Sequence, residues 1–274
     1  MNYLETVGFI GAGSITAAVA RGLRARGANP TIFLSPRSEE VSLELASSLP
    51  NVHRTNSNAE VVARAQLVVL AVLPEQLQDA LSEVTFRPDQ TVVSFVATVP
   101  VAEITRLVAP AFKVCRVTPL TTIKAGQGPI VMAPGMASVK SLFDGLGDVL
   151  VAENEEQMMA FGCGAAVLST FFQLEQTVAQ WLTSAGVTAA NASLYVRSMF
   201  AGAANLALAS QDVALTAMAD GNETPGGLNE RVRASLRDAG LFTRIDRVLT
   251  ELASLSLAPS STQERGKSVE RGSA

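Results

Sequence analysis

Two hydrophobic textures divide this chain. Up to about residue 150, short apolar runs alternate with amphipathic stretches; beyond it the runs vanish and long helical patterns take over. Positions 7–10, 31–34, 67–72, 91–96, 113–117 and 128–132 are mostly apolar and rich in Val, Ile and Leu, the pattern of strands buried on both faces. A short segment lies at 52–54, and 149–151 fits a further strand. Helical stretches fall between them, from Ala17 to a Gly/Pro stop at 26–30, then at 39–49, 58–64, 101–108 and 138–146. Strands alternating with helices predict an α/β fold, a doubly wound parallel sheet.

The second half predicts an all-α domain, with helices at 155–185, 189–209, 213–219, 230–239 and 241–255. Ala185-Gly186-Val187 ends the first of these, and Ala201-Gly202-Ala203-Ala204 lets helices approach closely. So much apolar surface on long helices asks for partners beyond one sheet, which points to a homodimer through this half; a bundle packed on itself is the other reading. Past Ala258 the chain turns to Pro, Ser, Gly and charged residues, a composition that predicts a disordered tail. The expected domains are 1–152, 153–257 and the tail 258–274.

Composition narrows the function classes. Of 274 residues, 48% are hydrophobic, enough for a packed core, and the net charge of −4 is spread without blocks of either sign. Neither a nucleic-acid footprint nor a polybasic membrane patch is present, so no nucleic-acid or membrane partner is expected. Cys115 and Cys163 lack any metal spacing and read as buried free thiols of a reducing cytoplasm; no metal site is expected. No basic stretch followed by an apolar run and cleavage site opens the chain, and no uncharged apolar run reaches the roughly 20 residues of a spanning helix. A soluble, cytoplasmic protein is expected.

The densest chemical signal is Val7-Gly8-Phe9-Ile10-Gly11-Ala12-Gly13-Ser14-Ile15-Thr16, an apolar strand running through Gly-x-Gly into a helix. In dinucleotide-binding folds the first glycine makes the tight turn. The second lets the backbone approach the pyrophosphate, held by free N–H groups at the helix N-terminus. Thr16 stands where a third glycine or alanine is usual. After the second strand, NAD-binding chains place Asp or Glu on the ribose 2′-hydroxyl. This chain has Ser35 and Arg37 and no acid until Glu39. A hydroxyl and a guanidinium suit a 2′-phosphate by charge-assisted hydrogen bonds, so NADP(H) is expected over NAD(H). A Ser-Pro turn with a solvated arginine is the bland alternative.

A second candidate lies in the helical half, at Asp220-Gly221-Asn222-Glu223-Thr224-Pro225-Gly226-Gly227-Leu228-Asn229-Glu230. Pro-Gly-Gly before a helix exposes backbone N–H groups that suit a carboxylate, and Thr224 and Asn229 can add side-chain bonds. A turn capped by Asn with an early Glu is the bland account.

The order of these motifs, with Val72-Leu73-Pro74, Arg116-Val117-x-Pro119, Gly162-x-Gly164 and Thr224-Pro225-Gly226-Gly227, resembles the pyrroline-5-carboxylate reductases over roughly residues 5–255. These are NAD(P)H-dependent enzymes that reduce a cyclic imine to proline. The resemblance implies a Rossmann-type domain followed by an all-α dimerisation domain. It places the cofactor on Gly11, Gly13, Ser14, Ile15, Ser35, Arg37, Val72, Pro74 and Ala97. The imino acid falls to Cys163, Thr224, Gly226, Gly227, Leu228 and Asn229, with Thr224 and Asn229 carrying catalysis. Departures cluster at the substrate end. Leu73 replaces the family's lysine, Leu120 its asparagine, and Leu228 and Asn229 its substrate-loop threonines.

The implied reaction is NADPH-dependent reduction of a cyclic imino acid, with Δ1-pyrroline-5-carboxylate as leading substrate. A pre-protonated iminium needs no strong general acid, which fits the lack of an obvious catalytic pair. His53, the only histidine, and Lys124 read as surface residues, while Thr118, Thr121 and Thr122 sit past a strand end where such sheets bind ligands. Competing readings are another imine or a 2-oxo acid derivative on the same scaffold, or a non-catalytic NADP-binding protein. A β-hydroxyacid dehydrogenase is disfavoured because 153–210 holds no lysine.

Overall fold

In the computed structural model, residues 5–96 and 98–257 are described. The chain divides into two compact units, the first ending at Gly162 and the second opening at Cys163.

The first unit runs β1 (Thr6–Ile10), α1 (Ser14–Ala25), β2 (Thr31–Leu34), α2 (Glu39–Ser48), β3 (Val52–Arg54), α3 (Asn58–Arg64), β4 (Leu67–Leu70), α4 (Leu77–Leu81), β5 (Thr91–Ser94), α5 (Val101–Leu107), β6 (Lys113–Pro119), β7 (Pro129–Ala133), α6 (Ala137–Phe143) and β8 (Asp148–Val151). Its strands form one eight-stranded sheet in the order β3-β2-β1-β4-β5-β6-β7-β8. The order reverses beside β1, at the crevice where such sheets bind ligands.

Unbroken apolar strands follow from burial on both faces. Leu67 and Val69 of β4 join Val7, Val19, Leu23 and Phe143 in one core, while Val68 and Leu70 join Val61, Leu77 and Ile104 in the other. Helices α1, α2 and α6 therefore cover one face, and α3, α4 and α5 the other. Small residues bring α1 close: an added Cβ at Gly22 would meet Leu146 Cδ2 at 2.7 Å.

One expectation needs correction: the sheet is not wholly parallel. β7 pairs antiparallel with β6, with Arg116 opposite Ala133 and Pro119 opposite Ile130. Only residues 120–128 join the two strands. A parallel crossover takes a dozen residues or more, so the chain can only turn back. Between β7 and β8 there is room for α6, and that pair is parallel again.

The helical run starts at α7 (Glu155–Ala165), which crosses the division between the units, and continues with α8 (Leu168–Ser184), α9 (Ala189–Ala209), α10 (Leu215–Gly221), α11 (Leu228–Asp238) and α12 (Leu241–Leu257). In place of the single helix expected over 155–185, a tight turn splits the run, Ala166 and Val167 N–H donating back to Cys163 and Gly164. By length and composition alone, Glu155–Ser184 is apolar enough to cross a membrane. The turn leaves α8 as 17 residues, about 26 Å at 1.5 Å per residue. α8 packs on α9, where Phe171 meets Phe200 edge-on at 5.5 Å, and α11 packs on α12. The expected tail from 258 lies outside the described residues.

Candidate functional site

The turn after β1 is built around two glycines with different duties. Gly11 holds φ +103°, and a Cβ there would lie 2.2 Å from the Ala71 carbonyl oxygen, so both conformation and space demand glycine. Its N–H donates to Ser35 Oγ at 2.9 Å, and its carbonyl accepts from Thr16 Oγ1 at 2.8 Å. Thr16, fully buried, thus pins the turn where a third glycine is usual. Gly13 caps α1 in an extended conformation, and a Cβ there would meet nothing. Its open side faces a cleft. The first intrahelical bond runs from Ala17 N–H to Gly13, leaving the earlier N–H groups without helical partners.

That cleft, about 470 Å³, is lined by residues 11–15, Arg37, Ser38, residues 71–73, Gln76 and Phe95. It follows the C-terminal ends of β1, β2, β4 and β5. Gly11, Gly13, Ser14, Ile15, Arg37 and Val72 all line it. Ser35 does not: it is fully buried, and its hydroxyl is engaged by Gly11 instead of pointing toward a 2′-phosphate. The reason is local, since the turn needs an acceptor for the Gly11 N–H. Pro74 is exposed and opens a 3₁₀ turn (Pro74–Gln76) whose last residue, Gln76, reaches the wall in its stead. Ala97 lies outside the described residues.

Sequence reasoning missed Ser38, Leu73, Gln76 and Phe95. Phe95 was legible near the end of the apolar run at 91–96, and Ser38 as the last polar residue before α2.

The donor set fits a dinucleotide. Open N–H groups at the start of α1 suit a pyrophosphate, and Arg37 with Ser38 offers a cation and a hydroxyl at the end of β2. None of the cleft-lining residues is acidic. Among the described residues no group of three or more His, Cys, Asp or Glu could hold a metal.

Behind β5, an ion pair secures the wall. Arg116, 3% exposed in its side chain, meets the Glu155 carboxylate at 2.7 Å, and its Nη1 lies 3.4 Å from the Val99 carbonyl. Glu155 also accepts from Val101 N–H at 3.1 Å, so the pair holds Val99 and the start of α5. Burial pushes the Arg116 pKa down and Glu155 pushes it back up. Nearby, burial pushes the Cys115 thiol up to about 12; it is a free, unreactive cysteine. His53 stacks on Phe33 at 5.9 Å and Lys124 is exposed, both away from the cleft wall. Thr118 lies within β6, while Thr121 and Thr122 form the 3₁₀ turn behind it.

In the second unit, Thr224, Gly226, Gly227, Leu228 and Asn229 share the loop that enters α11. Gly226 holds φ +72°, and Gly227 closes the turn by donating to the Thr224 carbonyl at 2.7 Å. The expected nest is not free. Gly226 N–H donates to the Glu230 carboxylate, and the Asn229 amide donates to Asn222. Arg233 pairs with Asp220 and Glu223, which together raise its pKa. Cys163 is buried on α7 and has no bond to this loop.

Comparison with known proteins agrees with this geometry. The profile of the family described as NADP oxidoreductase, coenzyme F420-dependent, matches residues 6–98. Pyrroline-5-carboxylate reductase of Pseudomonas aeruginosa is 28% identical over 257 residues, 89% of this chain and 92% of that protein. The crystal structure of 1-pyrroline-5-carboxylate reductase from Streptococcus pyogenes superposes with TM-score 0.80 at 20% identity, covering 93% of this chain and 99% of that one. Plasmodium falciparum pyrroline carboxylate reductase, solved with NADP bound, gives TM-score 0.78 at 15% identity over 93% of this chain and 98% of that one. With its Rossmann-type sheet, glycine turn and helical second unit, the chain is similar to the pyrroline-5-carboxylate reductases along most of its length and is an NAD(P)(H)-dependent oxidoreductase.

Proposed function

We propose that the protein uses NADPH to reduce the C=N bond of a cyclic imino acid, Δ1-pyrroline-5-carboxylate being the leading substrate and proline the product. The observation that carries this reading is the cleft, with a glycine turn at one end and Arg37 and Ser38 in place of an acid at the other. The names of its relatives supply the reaction class.

The nicotinamide, when bound, would supply a hydride to the carbon of the already protonated C=N bond, whose π electron pair passes to nitrogen and leaves the neutral amine, so the step itself needs no proton donor. The chain's own residues position and shield. Gly11 shapes the turn that brings the free N–H groups at the start of α1 to the pyrophosphate, Gly13 leaves room for its approach, and Arg37 and Ser38 take the 2′-phosphate. Leu73 and Phe95 give the wall after β4 and β5 an apolar surface that excludes water. On the substrate side the reading assigns Thr224 through Asn229, with Thr224 and Asn229 orienting the imine and the loop N–H groups taking its carboxylate. Exposed apolar residues of the helices, such as Trp181, Leu194 and Leu215 at 66–75% exposure, support a homodimer through this half; the reading takes the protein to be cytoplasmic.

A second reading has one observation in its favour. Because the Glu230 carboxylate already occupies Gly226 N–H, a substrate carboxylate must displace it. An imine lacking a carboxylate would not.

The deciding assay follows NADPH oxidation with Δ1-pyrroline-5-carboxylate and with cyclic imines that lack the acid, each beside an NADH control. Turnover of the imino acid with NADPH over NADH is expected. Turnover confined to the uncharged imines selects the second reading, and NADPH binding with no turnover at all overturns both.

A further inference from the structure

Arg54 closes β3, the strand beside β2, and nothing above gives it a task. Its partly buried guanidinium works in three directions. Nε donates to Ser42 Oγ at 3.1 Å, Nη2 donates to the Pro36 carbonyl at 3.2 Å, and Nη2 reaches Glu39 Oε1 at 3.5 Å. Pro36 and Glu39 flank Arg37 and Ser38, the two residues of this turn that line the cleft. Arg54 therefore brackets them from both sides. Ser38 holds φ +62° with no side-chain cap bond to α2, a conformation that a residue with a Cβ keeps only when its surroundings enforce it.

Glu39 gives the bracket a chemical meaning. It is the first acid after β2, and a carboxylate on this turn would accept from a ribose 2′-hydroxyl and repel a 2′-phosphate. Arg54 pairs with that carboxylate from the side of the sheet.

We propose that Arg54 is a positioning residue for cofactor choice: it fixes the turn bearing Arg37 and Ser38 and neutralises Glu39, so that the cleft favours a 2′-phosphorylated nucleotide. The proposal rests on the NADPH preference stated above. Arg54 need not touch the nucleotide. A residue that merely braced the sheet edge would, when lost, weaken both nucleotides alike and would not be rescued through Glu39.

The experiment is calorimetric titration of the full chain with 2′,5′-ADP and with 5′-ADP, which needs no substrate and no turnover. Wild type, Arg54→Met, Glu39→Gln and the double variant are compared, with thermal melts to confirm folding. The wild type is expected to favour 2′,5′-ADP. Arg54→Met should cut that preference about fivefold, as loss of a partly exposed ion pair allows, and the double variant should recover most of it. Preference unchanged in Arg54→Met, an equal loss for both nucleotides, or no recovery in the double variant overturns the proposal while leaving the NADPH reading intact. A wild type indifferent to the 2′-phosphate overturns both. Should Arg54→Met not fold, Arg54→Lys keeps the charge but cannot span three acceptors. A drop of about twofold in preference supports the proposal there, and no drop overturns it.

Discussion

Gly11 and Gly13 look alike in the sequence and act differently in the structure. A side chain at Gly11 meets the Ala71 carbonyl at 2.2 Å and forces an unfavourable φ. At Gly13 it meets only the open cleft. Gly11→Ala should therefore lower the melting temperature by about 5 °C or more and weaken NADPH binding. Gly13→Ala should leave melting within about 1 °C and still weaken binding about tenfold, as a lost close approach to the pyrophosphate implies. Fluorescence titration with thermal melts separates the two, and identical behaviour of the variants would contradict these roles. The glycines were legible because turn geometry is written in residue type. Ser35 was half legible. Its presence on the turn could be read, but not that its hydroxyl would be spent on Gly11, since that depends on which strand lies alongside.

Among elements, the sheet was the most legible part, because strands sealed on both faces leave unbroken apolar runs. The reversal of β7 was present in the sequence as a connection too short for a crossover, a length argument that apolar pattern alone overlooks. Helix α4 and the 3₁₀ turn before it carried no clean period and went unread. At the entry to α11, the glycines were legible but the partner of the Gly226 N–H was not, because Glu230 reaches back to it from the first turn of α11. Gly226→Val puts a branched side chain at φ +72°, and it should raise the substrate KM about tenfold or more while moving the NADPH Kd by less than about twofold. Steady-state kinetics beside cofactor titration tests this, and equal effects on both constants would remove the loop from the substrate site.

For the molecule as a whole, the change of texture near residue 150 correctly announced a sheet unit and a helical unit, yet the packing of the helices stayed hidden. The apolar faces of β1, β4 and β5 find partners within the chain, whereas Trp181, Leu194, Tyr195 and Leu215 remain largely exposed. A homodimer that covers them should dissociate, or fall in affinity by about tenfold or more, on Trp181→Glu, given the cost of a buried unpaired charge at an interface. Light scattering across a dilution series reads this directly. A wild-type chain that stays monomeric at high concentration would leave these faces to some other partner.

The Arg116–Glu155 pair bears on how the protein can be cut and recombined. Texture suggests a seam at 152, but the carboxylate that neutralises the buried guanidinium lies beyond it, in the first turn of α7. A chimera joined at 152 would bring in a foreign first turn and strand a buried cation in the sheet unit. One joined after Gly162 would carry Glu155 along. For this fold, the workable splice point lies inside a helix, and a linker between domains is the wrong place to look for it.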